Sequence, residues 1–394
     1  MSGGANVAPA VPPARVVRVL LVAGEASGDM HAADLVRALR TRCPGLEVFG
    51  VGGPTLRREG MRVVTDAEDV ATVGVVEGLG RLRALVRTYR ALVRALREER
   101  PDLCILVDFP EFNLRLARAA KRAGVPVFYY IGPQVWAWRR GRVRTIGRRV
   151  DALALVFPFE PALYEKTVPR ARFVGHPLID RVRVDRERAA TLEAIGFDPA
   201  KRTVLLLPGS RPKEIEYLLP VFLAAARRMA APDRQFVLAL APTLKLGVLE
   251  TAVANAGVPV RVVEGGRYDL MAAADVALVS SGTATLECAL LVCPMVIAYK
   301  LAPLTAVVAR VLVRGVTHIG LPNVVAGREI VPELVQGDVT PERVAQEAEA
   351  ILADPARRTR LIEDLRGVRA RLGDPGAAER AADMAVALLR QGRS

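Results

Sequence analysis

Two carboxylates three residues apart, Asp108 and Glu111, follow the apolar run Leu103–Val107 in the segment Asp108-Phe109-Pro110-Glu111-Phe112-Asn113. A carboxylate pair leaving the C-terminal end of a buried strand suits general-base work, because in open parallel sheets those ends face ligand. Each acid also has a structural use: Asp108 as a helix N-cap, Glu111 as a first-turn acid favoured by the helix dipole. Asp102 precedes the run and belongs to the opposite sheet edge. A third acid, Glu25, lies in Ala23-Gly24-Glu25-Ala26-Ser27-Gly28-Asp29. The glycines there permit a tight turn, and Ser27 with the following helix N-terminus offers donors to an anion. Ser27 or Asp29 would serve equally as a helix cap.

A second group of residues suits phosphate. Gly209-Ser210-Arg211 follows the run TVLLL, and Arg211 is placed to meet a diphosphate, with Lys213 close by. Ser280-Ser281-Gly282-Thr283-Ala284-Thr285-Leu286-Glu287 opens another helix with small and hydroxylated residues. Ser281, Gly282, Thr283 and Thr285 would supply N–H and hydroxyl donors, and Glu287, one turn on, would reach ribose hydroxyls. Two such turns and one acid together indicate a nucleotide-sugar. Asn323 and Arg328, in Leu321-Pro322-Asn323-Val324-Val325-Ala326-Gly327-Arg328-Glu329, have no mechanical reading alone. Between these groups, Tyr129, Tyr130, Trp136 and Trp138 precede Arg139, Arg140, Arg142, Arg144, Arg148 and Arg149. That stretch could stack on a sugar and hold a phosphate, bind single-stranded nucleic acid, or simply form a basic helix.

The elements that must position these residues alternate. Val16–Ala23, Val48–Val51, Leu103–Val107, Val127–Tyr130 and Ala152–Val156 are compact strand-like runs, several of them separated by helix-period segments. Thr203–Leu207, Phe236–Leu240, Val260–Val263, Val276–Val279 and Met295–Ala298 repeat the pattern. Short apolar strands between helices predict a parallel sheet covered on both faces, hence two Rossmann-like α/β domains. We expect a loose tail over 1–14, a first domain over 15–180, a linker over 181–202, a second domain over 203–365 and a helical segment over 366–394.

The chain has 394 residues, enough for two domains, with 51% hydrophobic and 25% charged residues. Its net charge is +14, which favours a polyanionic partner or an anionic membrane face. The four cysteines form no C-x-x-C pair and three lie in apolar runs, so buried, reduced thiols are expected. Three His, no H-E-x-x-H and no D-x-D give no protein-bound metal and no cofactor. The apolar run after the tail meets Glu25 too soon for a signal peptide. Leu290–Val313 is broken by Pro294, Lys300, Pro303 and Arg310, so no span is expected. A membrane could instead be met by the apolar Val70–Gly80 and the helix after it. There Leu82, Leu85, Val86, Tyr89, Leu92, Val93 and Leu96 share one face, and Arg83, Arg87, Arg90, Arg94 and Arg97 sit largely on the other. A helix lying on its sheet has the same pattern.

In order from Ala23 to Gln336, the chain resembles the lipid-A-disaccharide synthase family through AGEASGD, DFPEFNLRLA, PVFYYIGPQVWAWR, FVGHPLID, LLLPGSRPKEI, SSGTATLECALL, PMVIAYK and LPNVVAGREIVPELVQ. The resemblance implies a GT-B fold, two Rossmann-like domains facing a cleft, with C-terminal helices. It implies an inverting glycosyltransferase that joins UDP-2,3-diacylglucosamine to 2,3-diacylglucosamine 1-phosphate, giving the β-1,6 disaccharide 1-phosphate and UDP. It implies a cytoplasmic enzyme bound peripherally to the inner membrane, with no nucleic-acid partner; a homodimer is left open. It points to Glu111 as the base, where the family usually carries Asp, and makes Asp108 the residue orienting the acceptor or the loop. Glu25, Ser27, Arg211, Ser281, Gly282, Thr283, Thr285, Glu287, Asn323 and Arg328 become substrate- or nucleotide-binding candidates. His31 is expected on a helix surface, and His176 near the domain junction in a structural or lining role. A nucleotide-sugar epimerase would keep the same second-domain turns, and a non-catalytic lipid- or nucleic-acid-binding protein could keep the fold.

Overall fold

The computed structural model describes residues 16–67, 78–136, 141–241, 244, 247–301 and 317–391. It divides into two compact units, residues 1–177 with 373–394, and residues 178–372. The first unit holds seven parallel strands: β1 Val17–Ala23, β2 Leu46–Gly52, β3 Arg62–Asp66, β4 Leu103–Val107, β5 Val127–Tyr130, β6 Ala152–Leu155 and β7 Ala171–Phe173. Their order is β3-β2-β1-β4-β5-β6-β7. Successive side chains of a strand point to opposite faces. Val17, Val19, Leu21 and Ala23 of β1 therefore join one core, and Leu20 and Val22 the other. Both faces are covered, which is why β4 reads as an unbroken apolar run and β1 as one interrupted only by the exposed Arg18.

The second unit holds six parallel strands: β8 Arg202–Leu207, β9 Arg234–Leu240, β10 Val260–Glu264, β11 Val276–Ser280, β12 Met295–Tyr299 and β13 Glu333–Val335. Their order is β10-β9-β8-β11-β12-β13. In each sheet the strand order reverses next to the first strand, between β1 and β4 and between β8 and β11. Ligands of doubly wound sheets bind outside the strand ends at such a reversal. The segments carrying Glu25, Asp108 with Glu111, Arg211 and Ser281–Glu287 leave these four strands.

Three edge strands had no signal in the sequence. β7 and β13 are three residues long, and β3 alternates half-buried and exposed residues without an apolar run. The linker expected over 181–202 is folded into the second unit. Helix Arg188–Ala194 begins there, Arg188 Nη2 pairs with the buried Asp275 at 2.8 Å, and the Asp185 N–H donates to Asp269 Oδ1 at 2.7 Å. The expected C-terminal segment also divides. Helix Pro355–Arg371 belongs to the second unit, whereas helix Ala377–Gln391 belongs to the first. Buried Ala378, Ala381, Ala382 and Ala385 give that last helix a small-residue face in the core that also holds helix Ala26–Arg42. Arg42 Nε seals the pair against Asp383 at 2.6 Å. A charged, loop-flanked segment looks like a linker until its tertiary partners are known.

Helix Gly78–Glu98 lies on its sheet. Leu92, Ala95 and Leu96 are buried in the first unit's core, while Arg83, Arg87, Arg90, Arg94 and Arg97 are exposed. Of the stretch Val70–Gly80, residues 70–77 lie outside the described residues. Among the described residues no helix is long and apolar enough to cross a membrane. All four cysteines are buried free thiols.

Candidate functional site

In the first unit, the turn after β4 is strained by design. Asp108 and Phe109 both hold left-handed backbone, at φ 48° and 47°. That conformation is uncommon outside glycine and costs of order 1–3 kcal/mol per residue. The surroundings hold it in place. Asn113 Nδ2 donates to the carbonyls of Val107 (3.1 Å) and Asp108 (2.7 Å), and the Tyr129 hydroxyl donates to the Asp108 carbonyl. Burial and the nearby Asp108 charge push the Tyr129 hydroxyl far above its ordinary range, so it acts as a donor. Asn113 and Tyr129 hold this turn; the sequence reading gave Asn113 no role and offered Tyr129 as a sugar-stacking aromatic, whereas it is fully buried. Their polar groups inside otherwise apolar segments were the available signal.

The loop after β1 closes on this turn. A Cβ on Gly24 would stand 2.8 Å from the Phe109 ring, so only glycine permits the approach. Glu25 is the N-cap residue of helix Ala26–Arg42, and Ser27 is exposed in its first turn. The helix has no side-chain cap. Asp29, a candidate cap, instead accepts from the N–H groups of Gly53 (2.6 Å) and Thr55 (2.8 Å) and so fixes the loop after β2. Burial, with the charges of Glu25 and Glu111, pushes the Asp108 carboxyl up to about 6. Three acids therefore meet at the first sheet's reversal. Glu111 opens helix Pro110–Arg122 with its side chain 47% exposed, and its Oε1 lies 2.6 Å from Arg142 Nη2. His31 is buried rather than on the helix surface. Burial and the His31 charge drive His176 down to about 3, so both serve the interior.

In the second unit, the turn after β8 differs from expectation in one respect. Glu214 Oε2 accepts from the N–H groups of Ser210 (2.9 Å) and Arg211 (3.3 Å), so those donors are taken by the first turn of the following helix. Gly209, at φ 124°, is required because a Cβ there would overlap Glu214. The phosphate-seeking group left is the Arg211 guanidinium, 76% exposed and 3.9 Å from Glu214. After β11, Gly282 and Thr283 are exposed and Ser281 is half-buried at the start of helix Thr283–Leu290. The Ser281 N–H is used in the sheet, donating to Ala298. Thr285 is buried and gives its hydroxyl to the Gly282 carbonyl at 2.7 Å, shaping the turn from within.

Glu287 is buried beside Arg267 (2.6 Å) and the Tyr268 hydroxyl (3.1 Å). Burial pushes its carboxyl up despite the guanidinium. Arg267 and Tyr268 also line a cavity of about 540 Å³ bounded by Leu240, Glu264, Gly265 and Gly266. Both glycines have left-handed backbone, at φ 76° and 58°. The cavity opens at the C-terminal ends of β9 and β10, which makes it a second candidate ligand wall that the sequence reading missed. The pair Gly265-Gly266 directly after VRVVE was its signal. Two further candidates already have partners within the second unit. Asn323 is fully buried, donating to Val331 (2.8 Å) and Glu333 (2.7 Å) and accepting from Ile330 (2.8 Å) and Val331 (3.0 Å). Arg328 pairs with Asp364 at the surface, 2.5 Å away. Trp138, Arg139 and Arg140 lie outside the described residues. Among the described residues no three His, Cys, Asp or Glu converge as metal ligands would.

Comparison with known proteins decides the family. The family model described as lipid-A-disaccharide synthetase matches residues 19–382. The chain belongs to the lipid-A-disaccharide synthase family. It is similar to the lipid-A-disaccharide synthase of Syntrophus aciditrophicus, at 48% identity over 95% of this chain and 98% of that one. Membership makes it an enzyme, a glycosyltransferase of lipid A biosynthesis. Among solved structures it is similar to the calicheamicin glycosyltransferase CalG4, with a TM-score of 0.59 and 19% identity over 96% of this chain and 99% of that one. It is also similar to UDP-GlcNAc 2-epimerase from Neisseria meningitidis bound to UDP-GlcNAc, with a TM-score of 0.62 and 13% identity over 95% and 100%. At such identity these two share the fold alone, which is GT-B. The family therefore sets aside both the epimerase and the non-catalytic readings.

Proposed function

We propose that this family member joins UDP-2,3-diacylglucosamine to 2,3-diacylglucosamine 1-phosphate, releasing UDP and the β-1,6 disaccharide 1-phosphate. The observation that carries this reading is the meeting of Glu25, Asp108 and Glu111 where the first sheet reverses. A base there would take the proton of the acceptor's 6-hydroxyl as its oxygen attacks the anomeric carbon. The bond to the diphosphate breaks on the opposite face, so the configuration inverts. Such a transfer depends on positioning and on stabilising the leaving charge.

In the second unit, the leaving diphosphate would be met by Arg211 and by the helix start at Ser281, Gly282 and Thr283. The nucleoside would enter the cavity beside Arg267 and Tyr268, with Glu287 held by both near the ribose hydroxyls. These fixed cations and N–H dipoles offer the charge that a D-x-D-bound metal supplies elsewhere, so turnover is metal-independent. The enzyme works at the cytoplasmic face of the inner membrane, held peripherally by its excess positive charge.

Glu111 is the proposed base, because its exposed carboxylate on the first helical turn can reach a substrate hydroxyl. Asp108, beneath it, orients the acceptor or the loop. The reverse assignment is favoured by one observation: the Asp108 carboxyl at about 6 suits a proton acceptor near neutral pH. Measuring UDP release from the diacylated donor, with and without lipid acceptor, tests both. Release should require the acceptor, and Glu111→Gln should lower turnover about 10²–10⁴-fold while UDP affinity holds. Normal turnover in Glu111→Gln with a dead Asp108→Asn would exchange the roles. Normal turnover in both would move the base elsewhere, with Glu25 next to examine.

A further inference from the structure

Helix Pro110–Arg122 carries Glu111, Arg115, Arg118 and Arg122 at steps of four, three and four residues, which places them on one stripe. At 1.5 Å rise per residue, Arg118 stands roughly 10 Å along the axis from Glu111. Beside this stripe, helix Arg142–Gly147 and the residues after it supply Thr145, Arg148 and Arg149. Arg118, Thr145, Arg148 and Arg149 line a pocket of about 400 Å³ whose lining includes no acid. Burial and the like charges of Arg118, Arg148 and Arg115 lower the Arg149 guanidinium. The group is nonetheless held in place: Arg149 Nη1 donates to the Leu114 carbonyl at 2.8 Å, and Arg115 Nη1 to the Glu111 carbonyl at 3.0 Å.

Other arginines of this protein meet acids, as Arg37 does Glu59, Arg57 does Asp66 and Arg328 does Asp364. Among the described residues, no ion pair forms at Arg115, Arg118, Arg148 or Arg149. Asp151, two residues beyond Arg149, is committed to Lys121 (2.6 Å) and to the Val127 N–H (2.8 Å). Crowded guanidinium groups repel unless an anion sits among them. Three forks of donors and one hydroxyl around an open pocket match the oxygens of a phosphate.

We propose that the Arg118–Arg148–Arg149 pocket is a phosphate-binding site filled by the headgroup of an anionic membrane lipid. Choosing a lipid over free phosphate rests on the proposed acyl-lipid substrates, which require the first unit to work at a bilayer. Specific headgroup capture by a cation pocket differs from attraction by net charge, because it depends on which arginines are lost.

The test is co-sedimentation of the full chain with vesicles of phosphatidylcholine alone and with added phosphatidylglycerol. The double variant Arg118→Gln/Arg148→Gln is compared with Arg366→Gln/Arg369→Gln, which removes the same charge from exposed positions of the second unit. An arginine near an anionic surface is worth about fivefold in binding, so the pocket variant should bind phosphatidylglycerol vesicles about 30-fold more weakly. The control variant should lose far less, and neither should change with phosphatidylcholine alone. Equal losses in the two variants would overturn the site. Calorimetry with inorganic phosphate separates the sources. A pocket variant that loses phosphate binding but keeps vesicle affinity would overturn the lipid assignment. Vesicle binding is read without substrate or turnover, so its failure and the failure of the transfer reading are separate results.

Discussion

Replacing Asp108 by Asn should stabilise the first unit while it damages the enzyme. The Asp108 carboxyl titrates at about 6 in the fold, chiefly through burial, against an ordinary 3.8. Below 3.8 the group is protonated whether the chain is folded or not, and it contributes no pH dependence. Between 3.8 and about 6 the unfolded chain releases the proton that the folded chain keeps, so stability falls as pH rises. Above about 6 the full penalty is present and constant. The gap, at about 1.4 kcal/mol per pH unit, comes to about 3 kcal/mol. Asn keeps the shape and still accepts from the Phe109 N–H, yet it carries no charge to bury beside Glu25 and Glu111. For a unit of this size, about 3 kcal/mol raises Tm by about 6–12 °C. Calorimetric scans of both proteins at pH 4 and pH 8 check this. The Tm difference should be near zero at pH 4 and large at pH 8, while UDP release falls. A difference that is equal at both pH values, or a less stable variant at pH 8, would refute the buried, raised carboxyl.

Arg211→Ala should weaken UDP binding about tenfold to a hundredfold, because a charge-assisted contact is worth roughly 1.5–3 kcal/mol; calorimetry with UDP checks it. Asn323→Ala should do the opposite, leaving UDP affinity intact while removing about 3 kcal/mol or more of stability, since four buried hydrogen bonds end at that amide; denaturant unfolding reads the loss. Turnover should persist in excess chelator, and full loss restored by magnesium or manganese would show that Arg211 and the helix N-termini do not carry the diphosphate charge alone.

The sequence by itself determined the two α/β units and most of their strands. Their cores are buried on both faces, so Leu103–Val107 and Thr203–Leu207 appear as apolar runs that no amphipathic element would show. It also located the turns where the candidate site residues lie, because glycines, hydroxyls and acids cluster there at the strand ends. Asp108 with Glu111, and Arg211, were legible for that reason. Whether a polar side chain faces ligand or interior is a different matter, since it depends on partners distant in sequence. Thr285 and Asn323 have the types of ligand-binding residues, yet their hydrogen bonds are spent inside the fold. Glu214 takes the N–H groups that the Gly209–Arg211 turn offered to phosphate. The return of Ala377–Gln391 to the first unit was decided by an alanine face that could dock on any helix of similar shape. Only the tertiary structure raised Asp108, by enclosing it near two other carboxylates that lie far apart or one turn away in the chain. It also set Arg118 against Arg148 and Arg149, since a charge pattern along a sequence does not say which charges share a pocket.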